Sequence, residues 1–314
     1  MTRYLFNRLV SIPVLLLGVS VILFLIVQIA PGGAETFFAS EEHIPDPQQL
    51  EAIRRRLGLD DPIHVQYFRW LGGILRGDFG VSFISNHPVL EHIGERALAT
   101  VRLTTSALVM ALLIGVPIGV ISAVYRYRLV DKIATFGAFV GISFPNFWLG
   151  MLLVLVFSVS LGWLPPSGIG RGDAMNRFTH IILPVLTLMG GNLATFTRYT
   201  RSSMMETLGQ DYIRTARAKG LSDRVVIYRH ALRNSMIPVV TILGIQLGSL
   251  VAGAAVVETV FAWPGMGRLA ITAVVARDYP VIMGINVIVA LVLMLGNLVV
   301  DLSYGFLDPR IRYS

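Results

Sequence analysis

Asp211-Tyr-Ile-Arg-Thr-Ala-Arg-Ala-Lys-Gly220 sits inside a segment, Arg198 to Arg233, that carries eight basic residues and is too charged to lie in a bilayer. Long uncharged runs flank it on both sides, so it reads as a loop between membrane spans. Working outward, such runs occupy about 9–30, 103–125, 133–160, 178–197, 234–257 and 279–300. A hydrocarbon core of about 30 Å needs roughly 20 helical residues, and each run supplies them. Lipid offers the backbone no hydrogen-bond partner, so runs of this kind must be helical. The expected fold is an all-α integral membrane protein, six transmembrane helices forming one domain over 1–314. Pro13, Pro117, Pro145, Pro184 and Pro238, inside or beside these runs, are expected to kink the helices rather than end them.

Composition agrees. Of the 314 residues 54% are hydrophobic and 14% charged, and the mean hydropathy is +0.68, whereas soluble domains carry about 25% charged residues. Cysteine is absent, which excludes a disulfide framework and a thiolate metal site. The net charge of +7 follows topology rather than nucleic acid. Arg3 and Arg8 precede the first run, Arg126, Arg128 and Lys132 join the second to the third, and Arg310 and Arg312 finish the chain. Those segments, the loop 198–233 and both termini are expected in the cytoplasm of a bacterial or archaeal cell, the protein lying in the cytoplasmic (inner) membrane.

The segment 31–96 must then be external despite six arginines, which ten carboxylates outnumber; long loops translocate largely regardless of charge. Two helices are expected in this insertion: Pro47 to Leu57, capped by Asp46 and closed by Gly58, and Pro62 to Leu75, capped by Asp61. Together they would form a small water-exposed docking surface. Arg3, Arg8 and the run that follows also fit a secretory signal, but the run exceeds the 7 to 15 residues of a signal core, and a retained anchor is the favoured reading.

Within the central loop, Asp211 is expected to cap a helix from Tyr212 to Lys219, with Gly220 ending it in the left-handed region. Such a helix is about 12 Å long. Tyr212, Ile213 and Ala216 would form a small apolar knob, and Arg214, Arg217 and Lys219 a basic side, with Thr215 and Ala218 between. The shape suits a groove on another protein; a solvated basic loop obeying the positive-inside rule is the alternative. Ser222 then begins a second helix, Asp223 to Asn234, whose Arg224, Arg229 and Arg233 fit the membrane surface before Pro238.

No catalytic machinery is visible. Neither Lys132 nor Lys219, the chain's lysines, follows a glycine, so no G-x-x-x-x-G-K-[ST] phosphate cradle exists. Neither an H-E-x-x-H pair nor a G-x-S-x-G elbow occurs, His180 and His230 are isolated, and no metal site is expected. Energy must come from a partner, and the chain is not expected to be an enzyme. Polar residues in the spans, Gln28, Asn146, Asn192, Gln246, Asn286, Asn297 and Asp301, with Glu258 at a span end, are candidates for a translocation path. For each an interhelical hydrogen bond is the favoured reading. The turn Phe261 to Arg268 carries Trp263, Pro264 and Gly265, candidates for a gate or docking element, or for interface anchoring by Phe261 and Trp263. Gly244, Gly248, Ala252 and Ala255 offer a small-residue stripe for close helix contact in the fifth span.

Tyr212-Ile-Arg-Thr-Ala-Arg-Ala-Lys-Gly-Leu221, followed by His230-Ala-Leu-Arg-Asn-Ser-Met-Ile-Pro238, resembles the coupling-loop motif of ABC importer permeases in the dipeptide, oligopeptide, glutathione and nickel uptake family. The resemblance spans nearly the whole chain through Arg8-Leu-Val-Ser-Ile-Pro13, Leu57-Gly-Leu-Asp60, Gly77-Asp-Phe-Gly80, Gly141-Ile-Ser-Phe-Pro145, Gly162-Trp-Leu-Pro165, Phe261-Ala-Trp-Pro-Gly-Met-Gly-Arg268 and Arg277-Asp-Tyr-Pro280. The large segment after the first span resembles that of the first of the family's two permease subunits.

What the resemblance implies is a type I importer fold in which this chain pairs with a homologous permease, two ATPase subunits bind below, and an extracytoplasmic binding protein docks above. The helix matching Tyr212 to Gly220 would sit in a cleft of one ATPase. ATP and Mg would belong to those partners, and this chain would hold no cofactor. Ala216 and Gly220 match the alanine and glycine of the general permease motif, while Arg214 replaces its acidic residue and its proline falls later, at Pro238. Dipeptide, oligopeptide or glutathione is the cargo expected first, and nickel second. The alternative class, a self-sufficient secondary transporter or channel, would be expected to show inverted repeats or a charged intramembrane relay.

Overall fold

Apolar runs that cannot expose backbone to lipid have one local solution, and the computed structural model of the protein is built almost wholly from helices. The structure describes residues 2–29, 60–248 and 254–307, with side chains at 10–29, 60–246 and 254–298. The elements are α1 (Thr2–Ile29), α2 (Ile63–Leu75), α3 (Val89–Val124), α4 (Leu129–Ser143), α5 (Asn146–Leu153), α6 (Ala174–Leu208), α7 (Asp211–Ala218), α8 (Leu232–Gly248), α9 (Ala255–Val260), α10 (Met266–Val275) and α11 (Tyr279–Leu307). A wide π-helical turn, Val154–Ser160, extends α5; a second, Val226–Ala231, follows a helical turn at Asp223–Val225 and leads into α8. Among the described residues α1, α3, α6 and α11 are each long and apolar enough to cross a membrane, and α4 with α5 makes a fifth span if the bent pair is one. The six-span reading is therefore met in part: α8 has 17 residues, and 249–253 lie outside the described residues.

Three boundaries differ from the sequence reading. The second span begins at Val89 rather than 103, and its 36 residues make a helix of about 54 Å. Glu91, Glu95, Arg96 and Arg102 interrupt the uncharged run, but Val89 and Ile93 on the same helix are buried against α10 and α11. The end of the 31–96 insertion is thus an extension of α3. Pro145 ends a helix where a kink was expected: Phe144 takes the extended conformation that a following proline favours, and α4 and the α5 run are bent by 104°. Pro13, Pro117, Pro184 and Pro238 lie within helices, as expected. The fifth span does not run unbroken to 257, because Ala254 is outside any helix and α9 starts anew. Gly244 and Gly248 therefore belong to α8 and Ala255 to α9, with Ala252 outside the described residues, which divides the stripe between two helices.

Of the stripe, Ala255 does sit at a close approach, to Gly267 of α10, where a Cβ would collide with the Ala255 Cα; the close approach between two long helices lies elsewhere. α3 packs along α6 more extensively than any other described pair. Gly115 and Gly119, four apart on α3, lie against it: a Cβ at Gly115 would stand 3.0 Å from the Leu193 carbonyl, and one at Gly119 2.7 Å from that of Thr197. Backbones this close gain dispersion contacts that lipid cannot replace. Thr197 Oγ1 also donates to the Gly115 carbonyl at 3.3 Å.

The helix expected over Pro47 to Leu57 lies outside the described residues. Its neighbour α2 forms as expected, except that Asp61 does not cap it; Pro62 holds the N-cap position and the Asp61 carboxylate pairs with Arg69 at 2.5 Å. Rather than standing free in water, α2 leans on α1. Phe24 packs edge-on to Tyr67, Ser20 and Tyr67 share a 2.8 Å hydrogen bond, and Gln28 Nε2 donates to Gln66 Oε1 at 3.0 Å. Gln28 is thereby engaged by this helix and not by a path.

Candidate functional site

The charged loop folds into the short helix that its sequence promises, with a different cap and a different buried face. Asp211 is the first residue of α7 and Gln210 the N-cap, without a side-chain hydrogen bond; Asp211 instead places its carboxylate in the first turn, where the helix dipole favours it. At the other end Gly220 has φ +76°. Its amide donates to the Arg217 carbonyl and that of Leu221 to Ala216, the paired bonds of a Schellman stop.

Ile213 and Ala216 face inward. They are 0% and 7% exposed and pack with Val120 and Ala123 of α3, Met204 of α6, and Val226 and Ala231 of the lead-in to α8. The apolar knob expected to meet a partner is thus two-thirds turned onto the chain itself, because one turn of helix offers a single apolar stripe and the end of the α3–α6 pair supplies its cover. What remains outward is Asp211, Tyr212, Arg214, Thr215, Arg217, Ala218, Lys219 and Gly220. Tyr212 is 41% exposed, with its hydroxyl accepting from Asn234 Nδ2 at 2.8 Å. The pairs Arg214–Asp211 and Arg217–Asp223, at 3.5 and 3.7 Å, are solvent-exposed and hold little.

Directly behind this junction lies a buried ion pair that the sequence reading did not single out. Asp131, in the first turn of α4, receives Arg201 Nε on Oδ1 at 2.6 Å and an Arg201 terminal nitrogen on Oδ2 at 2.9 Å. Ser122 Oγ donates to Oδ1 at 2.5 Å and the Tyr127 amide to Oδ2 at 2.8 Å, with Tyr127 itself at φ +65°. One carboxylate therefore ties the end of α3, the tight turn after it, α4 and α6. The available signal was one acid, Asp131, between Arg128 and Lys132 at a span end.

Above the junction is a cavity of about 480 Å³ whose polar lining includes Thr104, Asn146, Asn192, Thr195, Arg198 and Gln246. Three of the span amides singled out in the sequence converge here, and Gln246 Nε2 donates to Asn192 Oδ1 at 2.5 Å. No carboxylate is among the lining residues. The other path candidates go elsewhere. Asn286 and Asn297 are exposed on α11, Asn286 donating to the Ile282 carbonyl at 2.8 Å, and the side chain of Asp301 lies outside the description.

Glu258 is a correction. It is fully buried, with Oε1 accepting from Thr100 Oγ1 at 2.6 Å and Oε2 from the Arg268 amide at 2.9 Å. It organises the Phe261 to Arg268 turn instead of lining the cavity. Trp263 and Phe261 are likewise interior, 5% and 1% exposed, and not interface anchors; the Trp263 indole donates to the Ala99 carbonyl at 3.0 Å. Pro264 is half-buried and Gly265 buried, where a Cβ would collide with the Glu258 carboxyl.

Residues 1–104 match the family described as binding-protein-dependent transport system membrane component, N-terminal, and 115–313 that described as binding-protein-dependent transport system inner membrane component. The chain is 42% identical to the oligopeptide transport system permease protein AppB of Bacillus subtilis over 323 aligned residues. It is 46% identical to the glutathione transport system permease protein GsiC of Salmonella paratyphi A and 44% to that of Escherichia coli. All three alignments cover 100% of both chains. Among solved structures, the MetNI methionine ABC transporter in an inward-facing form superposes with a TM-score of 0.50 at 18% identity, over 67% of this chain and 95% of the other. An amino acid ABC transporter crystallised with histidines gives 0.51 at 16% identity, over 70% and 94%. These two likenesses concern the fold.

Proposed function

The chain belongs to the binding-protein-dependent transport system inner membrane component family, as a peptide- and glutathione-type ABC importer permease, and on that premise we propose that α7 is its coupling helix and the amide-lined cavity its share of the translocation path. The protein is a multi-pass inner-membrane subunit with no catalytic site of its own. In this reading it pairs with a homologous permease, two ATPases that bind ATP and Mg grip the outward face of Asp211 to Gly220, and an extracytoplasmic binding protein delivers cargo. Both termini then lie in the cytoplasm.

The observation that carries the coupling role is the division of α7 into two faces. Ile213 and Ala216 fasten it to the ends of α3 and α6, while Tyr212, Arg214, Thr215 and Lys219 stay free for another protein. A load applied to the outer face must pass into the long helices. The cavity above supports cargo that carries amides and carboxylates: Asn146, Asn192 and Gln246 offer donors and acceptors together, and Arg198 adds a positive charge with no acid beside it in the lining. Oligopeptides or glutathione, named for the relatives, have those groups.

Reconstitution tests the whole. Proteoliposomes holding this permease, its paired permease and the ATPases are expected to accumulate labelled peptide or glutathione only with ATP and the binding protein. Accumulation by this polypeptide alone on an ion gradient would overturn the assignment. A cysteine at Arg214 should crosslink to an ATPase subunit, and its failure to do so in an active complex would remove α7 from the coupling role.

A further inference from the structure

Helix α4 has one fully buried residue, and that residue is a charge. Among the described side chains from Leu129 to Ser143 only Asp131 is buried, while Ile133, Phe136, Phe139 and Ile142 are all more than half exposed. The helix packs on α6 and α3 without fully burying an apolar side chain of its own, so its one buried anchor is polar. The holding group is the Asp131 carboxylate, 4% exposed, with Arg201, Ser122 and the Tyr127 amide upon it.

Its position relative to the coupling junction is specific. Ser122 adjoins Ala123, and Arg201 lies one turn before Met204; Ala123 and Met204 both belong to the cluster that receives Ile213 and Ala216. No residue of α4 belongs to that cluster. The carboxylate therefore joins α4 to the two helix ends on which α7 sits. At its far end α4 supplies Gly141 and Ile142 to the cavity wall, and Phe144, the residue that follows it, joins them at the 104° bend. Between these ends α4 rests on α6 through Gly141, where a Cβ would stand 3.0 Å from the Gly190 carbonyl.

We infer that Asp131 and Arg201 form a positioning latch that makes α4 follow the coupling helix, so that displacement of α7 reshapes the cavity wall at Gly141 to Phe144. The inference rests on the coupling reading above and adds to it a route. A fork of two parallel N–H bonds resists both sliding and rotation of α4 against α6, which a single hydroxyl contact does not. Removing one partner of a buried pair strands the other, so each half is required.

The test uses the reconstituted complex and reads cargo moved per ATP hydrolysed, normalised to assembled complex. Asp131→Asn and Arg201→Gln should each lower that ratio roughly tenfold with hydrolysis retained; Arg201→Lys, which keeps the charge but not the fork, should restore part of it. The crosslink from a cysteine at Arg214 to the ATPase, made in the same preparations, separates the two readings. Crosslinking retained with the ratio lowered supports the latch. Crosslinking retained with the ratio unchanged in both variants overturns it and leaves the coupling role standing. A loss of transport and hydrolysis in equal proportion, with no recovery in Arg201→Lys, also overturns it and makes the pair only structural.

Discussion

Two of the buried carboxylates among the described residues, Asp131 and Glu258, lie at opposite ends of the bundle, and they are neutralised differently. Asp131, at the junction behind α7, meets a guanidinium in a two-bond fork and draws partners from two other helices and a turn. Glu258, beside the Phe261 to Arg268 turn, is 0% exposed and accepts from one hydroxyl and one backbone amide, while the Arg268 guanidinium points to the Ala262 carbonyl. A fork between mobile side chains can be carried along when helices shift. A carboxylate wrapped by its own turn cannot move without unfolding the turn. On the latch proposal, one end of the molecule is jointed and the other is fixed.

The sharpest way to break the fixed end is Gly265→Ala. Its Cβ would fall on the Glu258 carboxyl, which has no free space to move into, and displacing it would leave Thr100 and the Arg268 amide without their acceptor. The expected loss exceeds about 3 kcal/mol. Membrane yield and thermal denaturation of the detergent-extracted complex measure it; a variant with normal yield and denaturation temperature would show that the turn is more pliant than its packing implies.

At the jointed end, Asp131→Ala strands Arg201, whose side chain is 25% exposed, and should cost about 3 kcal/mol. Asp131→Asn keeps one acceptor oxygen, enough for the Tyr127 amide, while its amide nitrogen can donate to Ser122 Oγ, and it should cost clearly less. Equal denaturation temperatures for the two would mean that the hydrogen bonds an asparagine keeps contribute nothing and that the charge carries the whole effect.

Ala216→Leu comes next. The residue is 7% exposed against Met204, Ile213 and Ala231, and added methylenes should cost about 1 to 3 kcal/mol by overpacking. The sequence alone, which turned Ala216 toward a partner, would expect a well-folded complex that hydrolyses ATP without transport. Denaturation separates these outcomes, because only the inward-facing residue changes stability.

How far the sequence reached follows from which signals are local. The long apolar helices, α7 and its glycine stop come from apolar runs and a left-handed residue, all set within a few neighbours, whereas the caps expected at Asp61 and Asp211 did not form. The break at Pro145 was misread because proline's local rule allows both a kink and an end, and packing against α6 decides between them. The amide cavity was half legible: Asn146, Asn192 and Gln246 stood out as polar groups in apolar runs, but Glu258 stood out for the same reason and went to the Phe261 to Arg268 turn, bound to Thr100, 158 positions away in the chain. The Asp131–Arg201 latch was invisible because its partners are 70 residues apart and each looks like an ordinary charge flanking a span. Gly115 and Gly119 were passed over in an alanine- and glycine-bearing helix where only the approach of α6 distinguishes them.

The smallest structural effect, and the cleanest test of the outward face, is expected from Arg214→Glu. The side chain is exposed and its nearest acid, Asp211, is a surface partner at 3.5 Å, so the denaturation temperature of the permease should not change. Affinity for the ATPase should fall if the basic side of α7 meets acidic groups on its partner, and the wild-type association should weaken with added salt, because exposed charges are screened beyond about 10 Å at 0.1 M ionic strength. An association that is insensitive to both salt and charge reversal would place the contact on Tyr212 and Ala218 instead, making the grip on α7 one of shape, with the arginines left to orient the loop at the membrane surface.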